Sequence, residues 1–469
     1  MNPTTPTPRV LRVLIIGGGT GGGCLAHGLK RAGIEVQVFE RQRSQLSNTG
    51  GYRVGISPDG SRALAECLPE DLYRTFVATC ARPPRHFNLL TEGLREVGSF
   101  DIHELGLDQD ALHGEQNVSR TTLRQVLFTG LEDCLHFDKT FTHYEQHADG
   151  TVTAFFADGS SATGDVLVAA DGTNSRVRQQ YLPHARLEDT GILSTGGKLP
   201  MTPETRALLP PKVQDGLSIV AAPRGYGLII HVMRFQFDRQ RVKPGIGESD
   251  AERLARWPGL LYDNTSDYIG WGFWAARQHF PADPMTLQGT ALVDLTLRMT
   301  DGWHPALRRL IELSDPTTVF PINVRTSVPL QPWAPTPVTL LGDAIHTMTP
   351  GRGIGANTAL RDAALLCRRL TAVRGGQLSL LQAIGDYEAH MRQYGFEAVL
   401  RSRQQMNAQD PINTPLLGTL MLGAMRTGMR LVNAVPPLKR RMAAAMFRDR
   451  QANQDGPPLT APAAPPSRR

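Results

Sequence analysis

An α/β fold follows from three stretches of this 469-residue sequence: a strand, glycine turn, helix and strand at residues 11–40, an apolar strand ending at Asp171-Gly172, and another ending at Gly342-Asp343. Leu11 to Ile16 is an apolar run of the kind that forms a buried parallel strand. Gly17, Gly19 and Gly22 follow at G-x-G-x-x-G spacing. In such a unit the first glycine permits the tight turn, the second lets a pyrophosphate approach the backbone, and the third brings the helix close to the strand. Ala26 and Leu29 continue the inner face of the helix, Gly33 stops it, and Val36 and Val38 alternate along the second strand. Glu40 stands at that strand's tip, about 20 residues past the glycines, where an acid accepts hydrogen bonds from a ribose.

The later elements follow in order. SPDGSRALAECL, from Ser57, has helical spacing after a Pro/Asp/Gly start, and residues 83–104 read as short strands. NVSRTTLRQVLFTGL, from Asn117, reads as a helix capped by Ser119 with Leu123, Val126 and Leu127 inward. Residues 142–172 read as a β-meander whose turns are Asp149-Gly150 and Asp158-Gly159, with a last strand from Asp165 to Ala170. From 186 to 300 the βαβ rhythm disappears, and strand-like pieces such as YGLIIHVMRFQFD and SDYIGWGFWAARQHF alternate with Pro/Gly turns, which predicts a separate mixed sheet. Residues 338–343 return to a buried strand, 355–370 and 378–403 read as helices, and 414–450 holds two more, broken at Pro436-Pro437. The expected division is a discontinuous nucleotide-binding domain at 9–185 and 316–370, an inserted domain at 186–315, a helical segment at 371–452, and disordered tails at 1–8 and 456–469.

A chain that is 41% hydrophobic and 20% charged is ordinary for a soluble globular protein. Its five cysteines are scattered without C-x-x-C spacing, which points to a reducing cytosol and away from a disulfide frame or a zinc site. The start, MNPTTPTPRV, lacks the charged and apolar regions of a signal peptide. The net charge of +6 is local. Residues 414–450 hold seven bases against one acid, Asp449, so the rest is neutral and gives no reason to expect nucleic-acid binding.

Three further motifs carry chemistry. Asp343, at a strand's carboxyl end, is placed to bond a sugar hydroxyl, and the Pro350–Asn357 turn leads through Gly351, Gly353 and Gly355 into a helix whose N-terminal N–H groups favour an anion. A second dinucleotide loop is the weaker reading there, because the third glycine is misplaced and no acid follows at the right distance. Asp171 sits at a sheet's carboxyl edge, where ligands bind, although such an acid also serves as a helix N-cap. Arg120 alone would be a solvated helix residue; beside a pyrophosphate it is a clamp.

The combination of Gly17/Gly19/Gly22, Glu40, Arg120, Asp171-Gly172, Gly342-Asp343 and the Pro350–Asn357 turn resembles the flavoprotein aromatic hydroxylases, single-component FAD monooxygenases of the para-hydroxybenzoate hydroxylase fold, from residue 10 to 370. The resemblance implies a Rossmann-type FAD-binding domain with an inserted mixed β-sheet substrate domain and C-terminal helices. It implies one FAD held by Gly17, Gly19, Thr20, Gly22, Glu40, Arg41, Arg120, Asp171, Asp343, Gly353, Gly355, Ala356 and Asn357, with Gly51 and Arg53 as further contacts. NAD(P)H would dock transiently, and oxygen would add to the reduced flavin as a C4a-hydroperoxide that hydroxylates or epoxidises an aromatic or olefinic small molecule. No protein acid or base and no metal is implied, and His346 is expected to pack or touch cofactor rather than carry a proton.

Tyr226, His231, Met233, Trp271 and Trp274 lie on strands of the substrate sheet, where alternate side chains face either a pocket or the core. Two other enzymes share the fold. A prenyl-reductase-like reductase or dehydrogenase remains an alternative, whereas a halogenase requires a WxWxIP signature that WGFWAA at 271–276 does not match. A non-catalytic flavin-binding protein is the rival from another class. The Met-rich, basic C-terminal helices are interrupted by arginines and do not span a bilayer; they form either a soluble lid over the substrate entrance or a contact with an anionic membrane surface. A lipophilic substrate suits both.

Overall fold

The computed structural model describes residues 10–44, 53–102, 112–235, 237–238, 241–242 and 267–452; both tails and Gly51 lie outside them. A five-stranded parallel sheet is ordered Val338–Leu340, Val166–Ala169, Arg12–Ile16, Glu35–Phe39 and Leu135–His136. The run from Val13 to Ile16 is almost wholly buried and Val166–Ala169 entirely so, as a sheet covered on both faces requires. Register places Ile16 opposite both Phe39 and Ala169, and Ala169 opposite Leu340. The carboxyl ends of four strands therefore share one edge. The helices Thr20–Arg31 and Gly355–Arg374 pack on each other beside this sheet.

The meander forms as a three-stranded antiparallel sheet, Phe141–Gln146, Val152–Phe156 and Ser161–Gly164. Its turn carboxylates each accept a backbone N–H, Asp149 from Thr151 (2.9 Å) and Asp158 from Ser160 (3.0 Å). The expected helix from Asn117 starts at Arg120, because Gln116–Ser119 is a strand paired with Arg53–Ile56. Ser119 occupies the N-cap position, but its hydroxyl makes no capping bond; Leu123, Val126 and Leu127 are buried as expected.

The mixed sheet has seven strands, in the order Phe320–Ser327, Leu187–Pro200, Tyr268–Ala276, Gly227–Met233, Gly216–Ala221, His86–Leu90 and Glu96–Asp101. Its limits differ from 186 and 315: one edge comes from residues 86–101 and the other from 320–327. Short antiparallel strands look alike locally, so their parent sheet is decided by long-range pairing such as Leu217 opposite Phe87. Leu228, Ile230, Ile269, Trp271 and Phe273 point to one face, where Leu292 of helix Thr290–Met299, Leu310 of helix Pro305–Glu312 and Trp303 between them cover it. Along the other face, Phe87, Leu217, His231 and Gly270 form one row.

The C-terminal segment consists of the helices Leu380–Arg403, Pro415–Ala434 and Pro436–Ala452. Helix Pro415–Ala434 lies on the His231 side of the sheet, with Met429 and Ala443 clustered with Val97, Phe100 and Phe87. Its Arg426 donates to the Ala221 carbonyl oxygen at 2.6 Å and pairs with Glu92. No helix among the described residues is long and apolar enough to cross a membrane.

Candidate active site

Three carboxylates project from the shared strand edge. Glu40 follows Phe39, Asp171 lies two residues past Ala169, and Asp343 three past Leu340. Between them runs the glycine turn. Gly17 has φ +102°, and a Cβ there would stand 2.4 Å from the Ala170 carbonyl oxygen; one on Gly22 would stand 2.1 Å from the Gly17 oxygen. Any side chain at either position forces the strand, turn and helix apart. A Cβ on Gly19 would meet nothing within 4 Å, so this backbone faces open space. Gly19 is the N-cap of helix Thr20–Arg31, which has neither a side-chain cap nor an acid in its first turn. Its orphan N–H groups and positive dipole end are left for a ligand anion. Glu40 shapes the turn as well: its Oε2 accepts from Gly18 N (2.9 Å) and its Oε1 from Gln42 N (3.0 Å). Arg41 is exposed.

Asp171 uses one oxygen structurally and leaves the other spare. Its Oδ2 accepts from Arg176 N at 2.9 Å, while Oδ1 is buried without a partner. The N-cap of the helix Arg176–Tyr181 is instead Ser175. Burial raises the Asp171 carboxyl pKa, with hydrogen bonds from the Ser175–Val177 turn opposing it. Asp343 is exposed at the strand edge, with protein atoms crowded around the rest of its side chain. Desolvation raises its pKa, and the charges of His346 and Arg120 pull it back.

Beneath these turns lies a set of supports that no motif announced. Arg178 donates to the Ala344 carbonyl oxygen (2.8 Å) and to that of Thr173 (2.9 Å), tying the Asp171 turn to the Asp343 turn. Asp362, fully buried on helix Gly355–Arg374, accepts from Gly342 N (2.8 Å), His346 Nε2 (2.7 Å) and Tyr394 Oη (2.6 Å). His346 is thus packed behind the turn rather than lining the cavity; it is wholly buried, and a Cβ at Gly395 would come within 2.8 Å of its ring. The Asn357 side chain is also occupied, donating to the Gly55 oxygen (3.0 Å) and accepting from Ser57 N (2.8 Å). It pins the strand Arg53–Ile56 to the second helix start, leaving only its backbone N–H for a ligand. That helix, preceded by Gly353 at φ +64°, has no side-chain cap and no acid in its first turn, so Gly355, Ala356 and Asn357 present orphan N–H groups. The two helix starts are neighbours: a Cβ on Gly21 would be 3.1 Å from the Ala359 oxygen.

Arg120 and Arg124 stand one turn apart on their helix. Desolvation lowers the pKa of each, opposed by Asp343 for Arg120 and by Glu40 for Arg124. One helix edge therefore puts a cation near the acid at each end of the row. Arg124 also stacks over Phe128, 4.8 Å from its centroid, and the Phe128 ring lies against Gly18. Sequence reasoning missed Arg124; its i+4 spacing from Arg120 was the available signal. Thr20 is half-buried at the first helical position.

These features suit an extended dinucleotide carrying a pyrophosphate at its middle. The open Gly19 backbone, the spare Asp171 oxygen and two uncapped helix starts fit FAD, whose anionic groups need N–H donors and whose ribose and ribityl hydroxyls need carboxylates.

The five substrate-sheet candidates separate. Trp271 belongs to the helix-covered core, its Nε1 donating to Ser314 Oγ at 2.7 Å, and Tyr226 packs edge-on against Phe273 of that core. Met233 packs with Ala81, Phe235 and Tyr268, and Trp274 covers Gly227. Strand alternation had left the face of each unassigned, and pairing of strands distant in sequence settles it. His231 differs from the others. Its Nδ1 is buried without a partner, and desolvation with the nearby positive charge of Arg53 drives its pKa well below the usual histidine value. Ala81 bridges to both Asn117 and Phe235, bringing the Arg53–Ile56 ribbon up to the end of the His231 strand.

The fold and the strand-edge site define a flavin-type dinucleotide protein with a separate mixed sheet. The family profile described as FAD binding domain matches residues 309–401, which include the Gly342–Leu366 motif. A solved protein of Photorhabdus luminescens, provisionally designated an FAD-containing monooxygenase, is 35% identical with a TM-score of 0.71, covering 85% of this chain and 98% of that one. The dual O-methyltransferase/FAD-dependent monooxygenase CTB3 of Cercospora beticola is 33% identical over 416 residues, 83% of this chain; the chain spans only 45% of that relative's length. The Klebsiella pneumoniae HpxO structure complexed with FAD and uric acid shares the fold, with a TM-score of 0.69 at 22% identity, covering 94% of this chain and 98% of that one. The chain belongs to the FAD-dependent monooxygenase family, and its cofactor is FAD.

Proposed function

We propose that the protein is an NAD(P)H- and O2-dependent monooxygenase that hydroxylates or epoxidises an aromatic or olefinic small molecule. When bound, FAD supplies the redox chemistry, taking up reducing equivalents and activating oxygen. The chain's contribution is positioning. Glu40 and Arg124 serve the adenosine end, the Gly19 turn and Arg120 the pyrophosphate, and Asp171 and Asp343 the sugar-like hydroxyls. The helix start at Gly355–Asn357 stabilises negative charge on the isoalloxazine. Domain roles follow: the parallel sheet carries cofactor, and the seven-stranded sheet carries substrate.

The observation that carries the substrate reading is the partnerless Nδ1 of His231, a buried polar atom on an otherwise apolar row with Phe87 and Leu217. Kept neutral, this imidazole suits one hydrogen bond to a hydroxyl or carbonyl on a flat apolar substrate. The uric acid in the HpxO complex is likewise flat and carries carbonyl groups, although its ring is polar. The test is oxygen uptake by purified holoenzyme with NADPH or NADH across phenolic and polyketide-like candidates, using ¹⁸O2 to trace the product. Incorporation of one labelled atom is expected. Anaerobic reduction of a substrate without incorporation would assign the fold-sharing reductase reading instead.

A further inference from the structure

We propose that the outer face of helix Pro415–Ala434, with the cations beginning the next helix, docks the protein on an anionic lipid surface. This helix is apolar on two sides. The inner side buries Leu422 and Met429, the latter against the seven-stranded sheet. The outer side presents Leu416, Leu420 and Leu431 at 84%, 72% and 63% exposure, flanked by exposed Leu417 and Met421. At 100° per residue these side chains, with Ala424 and Gly428, fall on one stripe opposite the buried one, and the stripe contains no charge. A continuous exposed apolar ridge of this length is unusual on a soluble surface.

Charge identifies the occupant. Residues 414–445 contain no acid, and Arg430, Lys439, Arg440 and Arg441 stand beside or just beyond the ridge. A two-fold contact with a second copy would bring like cations together around an apolar centre. An anionic bilayer accepts both the ridge, into the headgroup boundary, and the cations, at its surface. The inner side of the same helix borders the sheet face that carries His231, so docking would set that face beside the lipid. The proposal does not depend on the monooxygenase reading.

The test is co-sedimentation of FAD-loaded protein with phosphatidylcholine vesicles, with and without phosphatidylglycerol. Binding to the anionic vesicles alone is expected. Leu416→Glu with Leu420→Glu, and separately Lys439→Gln with Arg440→Gln and Arg441→Gln, should each weaken it by about tenfold or more. All five positions are at or near the surface, so bound FAD and thermal unfolding should stay unchanged, confirming that each variant is folded. Equal binding to neutral vesicles, or no loss in the leucine variant, overturns the proposal. So does an absence of vesicle binding, and if the protein is then a dimer that the leucine variant splits, the ridge is a self-association surface.

Discussion

Asp362→Asn probes the support beneath the Gly342-Asp343 turn. The wild-type carboxylate is inaccessible to solvent and satisfies three donors, Gly342 N, His346 Nε2 and Tyr394 Oη, at 2.6–2.8 Å. An asparagine keeps one acceptor oxygen and turns an amide N–H toward another donor. Leaving one buried donor unsatisfied costs about 1–3 kcal/mol, and removing the counter-charge of a buried pair raises the expected loss to about 3–5 kcal/mol. Desolvation is the largest influence on His346 and pulls its pKa down, but the charge and hydrogen bond of Asp362, with Asp343 behind, outweigh it and raise the net value. Because the folded pKa lies above the unfolded one, the pair's stabilisation is complete below about pH 6.5. It is lost as pH rises through the folded pKa. Urea unfolding followed by flavin fluorescence should therefore show a deficit for Asp362→Asn that narrows from pH 6 toward alkaline pH, with FAD affinity weakened by about tenfold. A variant within about 1 kcal/mol of wild type at pH 6, or a deficit that does not vary with pH, would refute the reasoning.

Three other outcomes are expected. Gly22→Ala puts a methyl group 2.1 Å from the Gly17 oxygen, so the protein should purify colourless and fail to take up added FAD in a fluorescence titration. Glu388, buried against Thr339, has its pKa raised to about 7 by desolvation; its charged form penalises the fold, and stability should decline as pH climbs from about 4.5 through 7. Glu388→Gln should stabilise the protein by about 3 kcal/mol at pH 8 and by little at pH 5 in urea melts. His231→Phe should leave FAD binding intact while raising KM for a hydroxylated substrate by about tenfold in steady-state oxygen uptake, the loss of one buried hydrogen bond; an unchanged KM would remove His231 from the substrate contact.

The sequence by itself determined the parts whose requirements are local. Gly22 had to be glycine for its backbone contact with Gly17 inside one βαβ unit, Gly17 for its own turn at φ +102°, and buried apolar runs announced the strands ending near Glu40, Asp171 and Asp343. Helix breaks such as Pro436-Pro437 were legible because proline acts on its own turn. Tertiary structure alone decided which sheet received residues 86–101 and 320–327, that Trp271 faces the core while His231 keeps an unpartnered nitrogen, and that His346 braces a turn. Arg124 and Arg178 became meaningful only through partners far along the chain, and Asp362 only through two other segments, the Gly342–His346 turn and the Tyr394 helix, converging on its carboxylate. Strand pairing and buried charge pairs depend on such long-range neighbours. A period of 2 or 3.6 residues fixes which side of an element is apolar, but not what will lie against it.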